Sequence, residues 1–271
     1  MKKLFRISLS LILVSSFFFC GFSAGGQAYA DGTRYSRGGV AFFDKTDHIY
    51  YSYRVTDMYI NTRDLPEYLC DGAGVCAVSA GGVALGYYDW DYESLIPNHT
   101  KFTLWGYEFY SGSSAGLTAM FSDLYTRMGT TSSGTTIAGY LAGMASYVGS
   151  RGYTICQTSA MSNGTLNRSA YKTALQDDKL MAVFFNGFAV LPFIGLSHSD
   201  GHDTTTHSVF TGNHAMMAYG YQHIKYYNAN DEIIDELELL IVHAALSDAR
   251  LCYVNVTQYG TISDAYITEI Y

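Results

Sequence analysis

The stretch DGAGVCAVSAGGVALGYYDWD, residues 71–91, decides how the rest of the chain is read. Gly72 and Gly74 punctuate a turn, and Cys76 follows it directly. From there Val78, Val83, Leu85 and Tyr87 stand among alanines and glycines. That spacing predicts a buried helix over 76–88, although each of Gly81, Gly82 and Gly86 costs about 1 kcal/mol relative to alanine. Such a helix is expected only where packing on several sides compensates and small residues let neighbouring backbones approach. A cysteine at a helix start meets unpaired N–H groups and the positive end of the dipole, both of which favour its thiolate. Cys76 is therefore the first candidate for a reactive side chain.

The rest of the chain sets the context for that thiol. Residues 1–30 read as a signal peptide of bacterial type: Lys2, Lys3 and Arg6 lead, an apolar run from Ile7 to Phe19 follows, and Ala28-Tyr29-Ala30 offers a cleavage site. The run is shorter than the roughly 20 residues a membrane span needs, and FFFCGF lacks the small residues that precede a lipid-modified cysteine. A secreted or cell-surface protein, without stable membrane insertion, is the expectation. Losing three basic and no acidic residues with that segment moves the net charge from −8 to −11. An acidic chain without clustered Lys and Arg is not built to bind nucleic acid or anionic lipid. Four cysteines remain: Cys70, Cys76, Cys156 and Cys252. In an exported chain they form two disulfides in one of three pairings, or leave one free nucleophile with the others paired or buried. Both readings stand at this point.

Residues 40–62, rich in Tyr, Phe, Val and Ile, read as strand, and 64–75 as loop. Helical spacing appears over 115–128, over 135–149 with Thr135 or Thr136 as cap, and over 169–176. GYTICQTSA and LMAVFFNGFAV read as strands, as do HAMMAYGYQHIKYY and LELLIVHAAL, the last two joined by a turn over 228–231. Helices mostly precede strands, so the fold class is α+β with segregated layers. Residues 31–63 are expected as an N-terminal strand segment ahead of a domain over 64–271. LSHSDGHDTTTHSVFTGN, 196–213, reads as a polar loop. Its His198, Asp200, His202, Asp203 and His207 are metal-ligand types, but their spacing matches no closed zinc pattern. No metal and no cofactor is expected.

A cysteine nucleophile needs a base brought near in space. Among eight histidines, His214 opens the strand-like run HAMMAYGY, where His214, Met216, Ala218 and Gly220 share one face. CAVSAGGVALGYYD and GNHAMMAYGY together resemble the nucleophile and histidine segments of bacterial papain-like cysteine peptidases. The pattern is similar to that of the bacteriocin-processing-peptidase-like group and of the streptopain family. GTTSSGTTIAGYLAGMASYVGSRGYT resembles a helical segment of the former, and the likeness extends over about residues 64–271. The interval of 138 residues between Cys76 and His214 suits the 130–150 or so of papain-type enzymes.

The resemblance implies a two-lobe papain-like fold, with the cysteine-bearing helix packed on an antiparallel sheet. It also implies a peptidase that cleaves peptide or protein substrates through a Cys76 acyl-enzyme with His214 as general base. Two members of the family pattern are missing. No Gln precedes Cys76 in Tyr68-Leu69-Cys70-Asp71 to support an oxyanion, which leaves the Cys76 backbone N–H as a donor. Where the family orients its histidine with Asn or Asp, this chain reads His243-Ala244-Ala245-Leu246, and Asp248 is the nearest carboxylate. These departures keep two alternatives in view: a silent peptidase-fold protein that binds peptide or protein, and an acyl transferase or amidase on the same fold.

Overall fold

The computed structural model describes residues 41–60, 65–99, 101–105, 107–110, 115–192, 196–199, 201–246 and 251–271. The signal-peptide segment, Asp200 and Asp248 lie outside the described residues. Four helices are described: α1 (Cys76–Tyr88), α2 (Ala115–Arg127), α3 (Ile137–Ser150) and α4 (Arg168–Gln176). They accompany one large antiparallel sheet, which makes the protein α+β.

Helix α1 forms where its sequence predicts and explains its own glycines. Every residue from Ala77 to Tyr88 is buried. A Cβ on Gly82 would lie 2.4 Å from the Phe121 ring of α2, and one on Gly81 2.9 Å from both Met128 and Met144. At Gly86 it would meet the Tyr68 ring at 2.3 Å. The missing side chains are the space into which α2, α3 and the 65–75 loop pack. Hydrogen bonds hold the far end: Tyr88 donates to the Thr268 carbonyl at 2.6 Å, and buried Asp89 pairs with Lys101 at 2.8 Å. Thr136 caps α3 by accepting from the Gly139 N–H at 3.0 Å.

The sheet is organised around a single long strand. In chain order the strands are β1 (Phe42–Ile49), β2 (Ser52–Tyr59), β3 (Lys101–Leu104), β4 (Tyr107–Tyr110), β5 (Ile155–Ser159), β6 (Met161–Ser162) and β7 (Thr165–Leu166). Then follow β8 (Leu180–Pro192), β9 (Leu196–Ser199), β10 (His202–Tyr227), β11 (Ile233–His243), β12 (Leu251–Asn255) and β13 (Thr261–Ile270). Drawn out straight, the 26 residues of β10 would span about 85 Å. Yet the Tyr50 N–H donates to the Gly201 carbonyl and the next N–H, Tyr51, to that of Tyr227. Adjacent residues thus touch both ends of β10, so this strand is coiled back on itself. Its pairings close a ring: β10 bonds β8 and β11, β11 bonds β12, and β12 bonds β8. Register shifts at Phe210/Asn213 and Ala218/Gly220 supply the bends, as bulges do.

Two sequence expectations need correcting. The strand expected over 40–62 is two strands, broken at Tyr50 and Tyr51, and both pair with β10 in the main sheet. The segment ahead of residue 64 therefore contributes to the same sheet as the rest. The polar loop expected over 196–213 is instead β9 and the first part of β10. Asp203, Thr205 and His207 point inward and are buried, alternating with more exposed neighbours. Polarity hid the period of two, because each inward group has a partner elsewhere. Tyr50 donates to Asp203 at 2.8 Å, His48 bridges Thr205 and Asp235, and the Asn255 amide donates to His207 Nε2 at 2.9 Å.

Two outcomes follow. Gly86→Ala should lower stability by about 1–3 kcal/mol in urea unfolding, overpacking against Tyr68 outweighing the gain of about 1 kcal/mol in helix propensity. Burial pushes the His207 imidazole down to about 4. The unfolded chain, whose histidines titrate near 6.5, takes up that proton first as pH falls. The contribution of His207 to stability is then full above about pH 6.5 and is lost toward pH 4. The loss of melting temperature between pH 7 and pH 4.5 should be a few degrees smaller in His207→Gln than in the wild type.

Candidate active site

Cys76 is the first residue of α1, and the residue before it, Val75, makes no side-chain cap. The N-terminal N–H groups of the helix are therefore open to the thiol rather than satisfied by a Ser, Thr or Asp oxygen. The loop that delivers the cysteine is fastened behind it. The Cys70 N–H donates to Ser79 Oγ at 3.0 Å, inside the first turn of α1. Gly74, with φ +71°, lies so close to the 131–134 turn that a Cβ would meet the Thr131 carbonyl at 2.4 Å. Glycine is required there both by backbone conformation and by contact.

His214 lies on β10 immediately after its first bulge. Between the pairs Phe210↔Phe188 and Asn213↔Asn186, β10 carries two residues where β8 carries only Gly187. The extra residue re-aims the strand, and His214 follows it half-buried. Its ring stacks on Phe188 at 4.9 Å between centroids, and Phe188 stacks in turn on Phe210 at 4.6 Å. On the edge of the imidazole, Nε2 lies 2.5 Å from the main-chain carbonyl of Ala244. A carbonyl oxygen only accepts, so Nε2 carries the proton and donates it.

The sulfur and the ring come together. Burial works against a Cys76 anion, yet a hydrogen bond to His214, the charge of that ring, and the N–H groups of Ala215 and Ala77 outweigh it. The net effect holds the thiol below its ordinary value of 9.0. With Nε2 turned toward Ala244, Nδ1 is the nitrogen left to face the sulfur. A thiol held below its ordinary value beside an imidazole, at a helix start, has the partners that nucleophilic attack requires.

The other sequence candidates fall out differently. Cys76, Cys156 and Cys252 are free thiols, so the two-disulfide reading is not the arrangement found. Cys252 is fully buried, and burial pushes its thiol far up, whereas Cys156 is exposed. Asp248 lies outside the described residues. Among the described residues no group of three or more His, Cys, Asp or Glu is placed to hold a metal ion. No described helix is long and apolar enough to cross a membrane. Three features at the site were missed in the sequence: Phe188, the Ala215 N–H and the Ala244 carbonyl. Only Phe188 is a side chain, and within LMAVFFNGFAV nothing separates it from core.

No family model matches the chain, and no curated protein matches it.

The alkylation rate of Cys76 by iodoacetamide, followed against pH by mass spectrometry of the modified peptide, should show a midpoint below 9. His214→Ala should move that midpoint above 9, because burial then acts on the thiol without its main opponent.

Proposed function

We propose that this protein is a papain-like cysteine peptidase, secreted or held at the cell surface, that hydrolyses peptide bonds through a Cys76 acyl-enzyme. One observation carries the reading: a thiol at an uncapped helix start is held below its ordinary pKa by a histidine from a remote strand. The resemblance of the Cys76 and His214 segments to bacterial papain-like peptidases supports the same conclusion.

In the reaction, the Cys76 thiolate attacks the peptide carbonyl carbon, and the C=O electron pair moves onto oxygen. The N–H of Cys76 is the donor for that oxyanion, since no glutamine stands in the preceding loop. As the oxyanion collapses, the C–N bond breaks, and His214 gives its proton to the leaving amine. Water, deprotonated by His214, then attacks the thioester. Release of the carboxylic acid restores the thiol–imidazole pair. The chemistry requires no metal or cofactor, and the substrate is a peptide or protein. A peptidase, an amidase and an acyl transferase share these steps up to the thioester, so the acceptor distinguishes them. A protein that only binds peptide would need none of them.

Purified protein with reductant and a casein substrate should show sustained turnover. Cys76→Ser should abolish it, and His214→Ala should reduce it by about 10²–10⁴-fold. Fast Cys76 labelling without casein turnover would move the reading to an amidase or transferase. A Cys76 no more reactive than Cys156 would sink it.

A further inference from the structure

Building on the Cys76–His214 reading, we infer that the main-chain carbonyl of Ala244 is the orienting group of His214, aimed by the left-handed backbone of Ala245. The side chain at 244 is a methyl group and cannot orient an imidazole. The backbone at the same residue supplies what the side chain lacks. An asparagine side chain and a peptide unit both offer an amide oxygen, with the same lone pairs and much the same strength as acceptors. Here that oxygen lies 2.5 Å from Nε2.

Three features make this carbonyl a positioned group. The ladder between β10 and β11 ends at the pair Met217↔His243, so Ala244 is the first residue beyond it and its carbonyl is not committed to that pairing. Ala245 has φ +56°, a conformation that residues with a Cβ rarely adopt. Rotation about that bond sets the direction of the 244–245 peptide plane, and hence of the Ala244 oxygen. Ala244, Ala245 and Leu246 are all buried, which keeps water from competing for the imidazole N–H. Backbone strain collects at sites where surrounding structure holds a group for use. Phe188 covers the face of the ring and Ala244 holds its edge, so the imidazole is fixed with Nδ1 toward the sulfur. Ala245 is thus a positioning residue that acts through His214.

Nitrogen-15 NMR of histidine-labelled Cys76→Ala protein, at a pH where the ring is neutral, reads the tautomer whether or not the protein cleaves peptide. The proton on Nε2 of His214 supports the inference, and the proton on Nδ1 overturns it. In the protein with Cys76 intact, Ala245→Val disfavours positive φ and should slow Cys76 labelling at pH 7 about tenfold, the scale of one hydrogen bond. Ala245→Gly, which keeps the conformation open, should restore the rate to within about twofold of the wild type. If the valine variant does not fold, an ester in place of the 244–245 peptide weakens the same carbonyl without changing any side chain. A valine or ester variant that labels at the wild-type rate overturns the inference, as does a tenfold or greater loss in Asp248→Asn. Nε2 protonation without peptide turnover would leave the orienting role standing and remove only the peptidase reading.

Discussion

A sulfur at the start of one element must meet an imidazole on another with both partly buried, and the packing of helix and sheet serves that requirement. Desolvation alone would hold Cys76 protonated; the ring of His214 and two backbone N–H groups reverse the balance. Such short-range compensation works only if helix and strand are held to within a fraction of an ångström. The glycines of α1 are part of that rigidity. They bring Phe121, Met128, Met144 and Tyr68 against the helix axis itself, so the cysteine's position is set by packing on several sides. The intrinsic cost of three glycines in a helix is accepted in exchange for close approach.

The sheet meets the same requirement from the other side. A straight strand could not serve both ends of the Tyr50–Tyr51 corner and still carry His214 to the helix. β10 therefore coils, and the bulge that helps it bend also turns the histidine. Its first part is held by buried polar groups rather than by apolar ones: Asp203, Thr205 and His207 find partners in Tyr50, His48 and Asn255, all remote in the chain. Buried polar groups with partners cost little, and they fix one register where apolar contacts would tolerate slippage. The strand that carries the site is thus anchored by chemistry that looks, in sequence, like solvent exposure.

A missing side chain in a motif also means less than it first suggests. An alanine where related patterns carry an amide or carboxylate reads as loss of the orienting group. The peptide bond is itself an amide, however, and a left-handed residue is enough to aim it. The absent glutamine has no such substitute in view beyond the backbone N–H of Cys76.

Read alone, the sequence determined the α+β class and the span of α1, and it singled out the thiol and the histidine that the fold brings together. Each of these is written in local signals: helical spacing, a glycine turn before a cysteine, a histidine opening an apolar strand. Folding decided the rest. The break at Tyr50 and Tyr51, the strand concealed in His202–Phe210, the free thiol of Cys76 and the carbonyl behind His214 depend on partners far away in the chain. A buried polar residue is recognisable only once its partner is known, and a backbone oxygen is the same atom at every position until the fold gives it a direction.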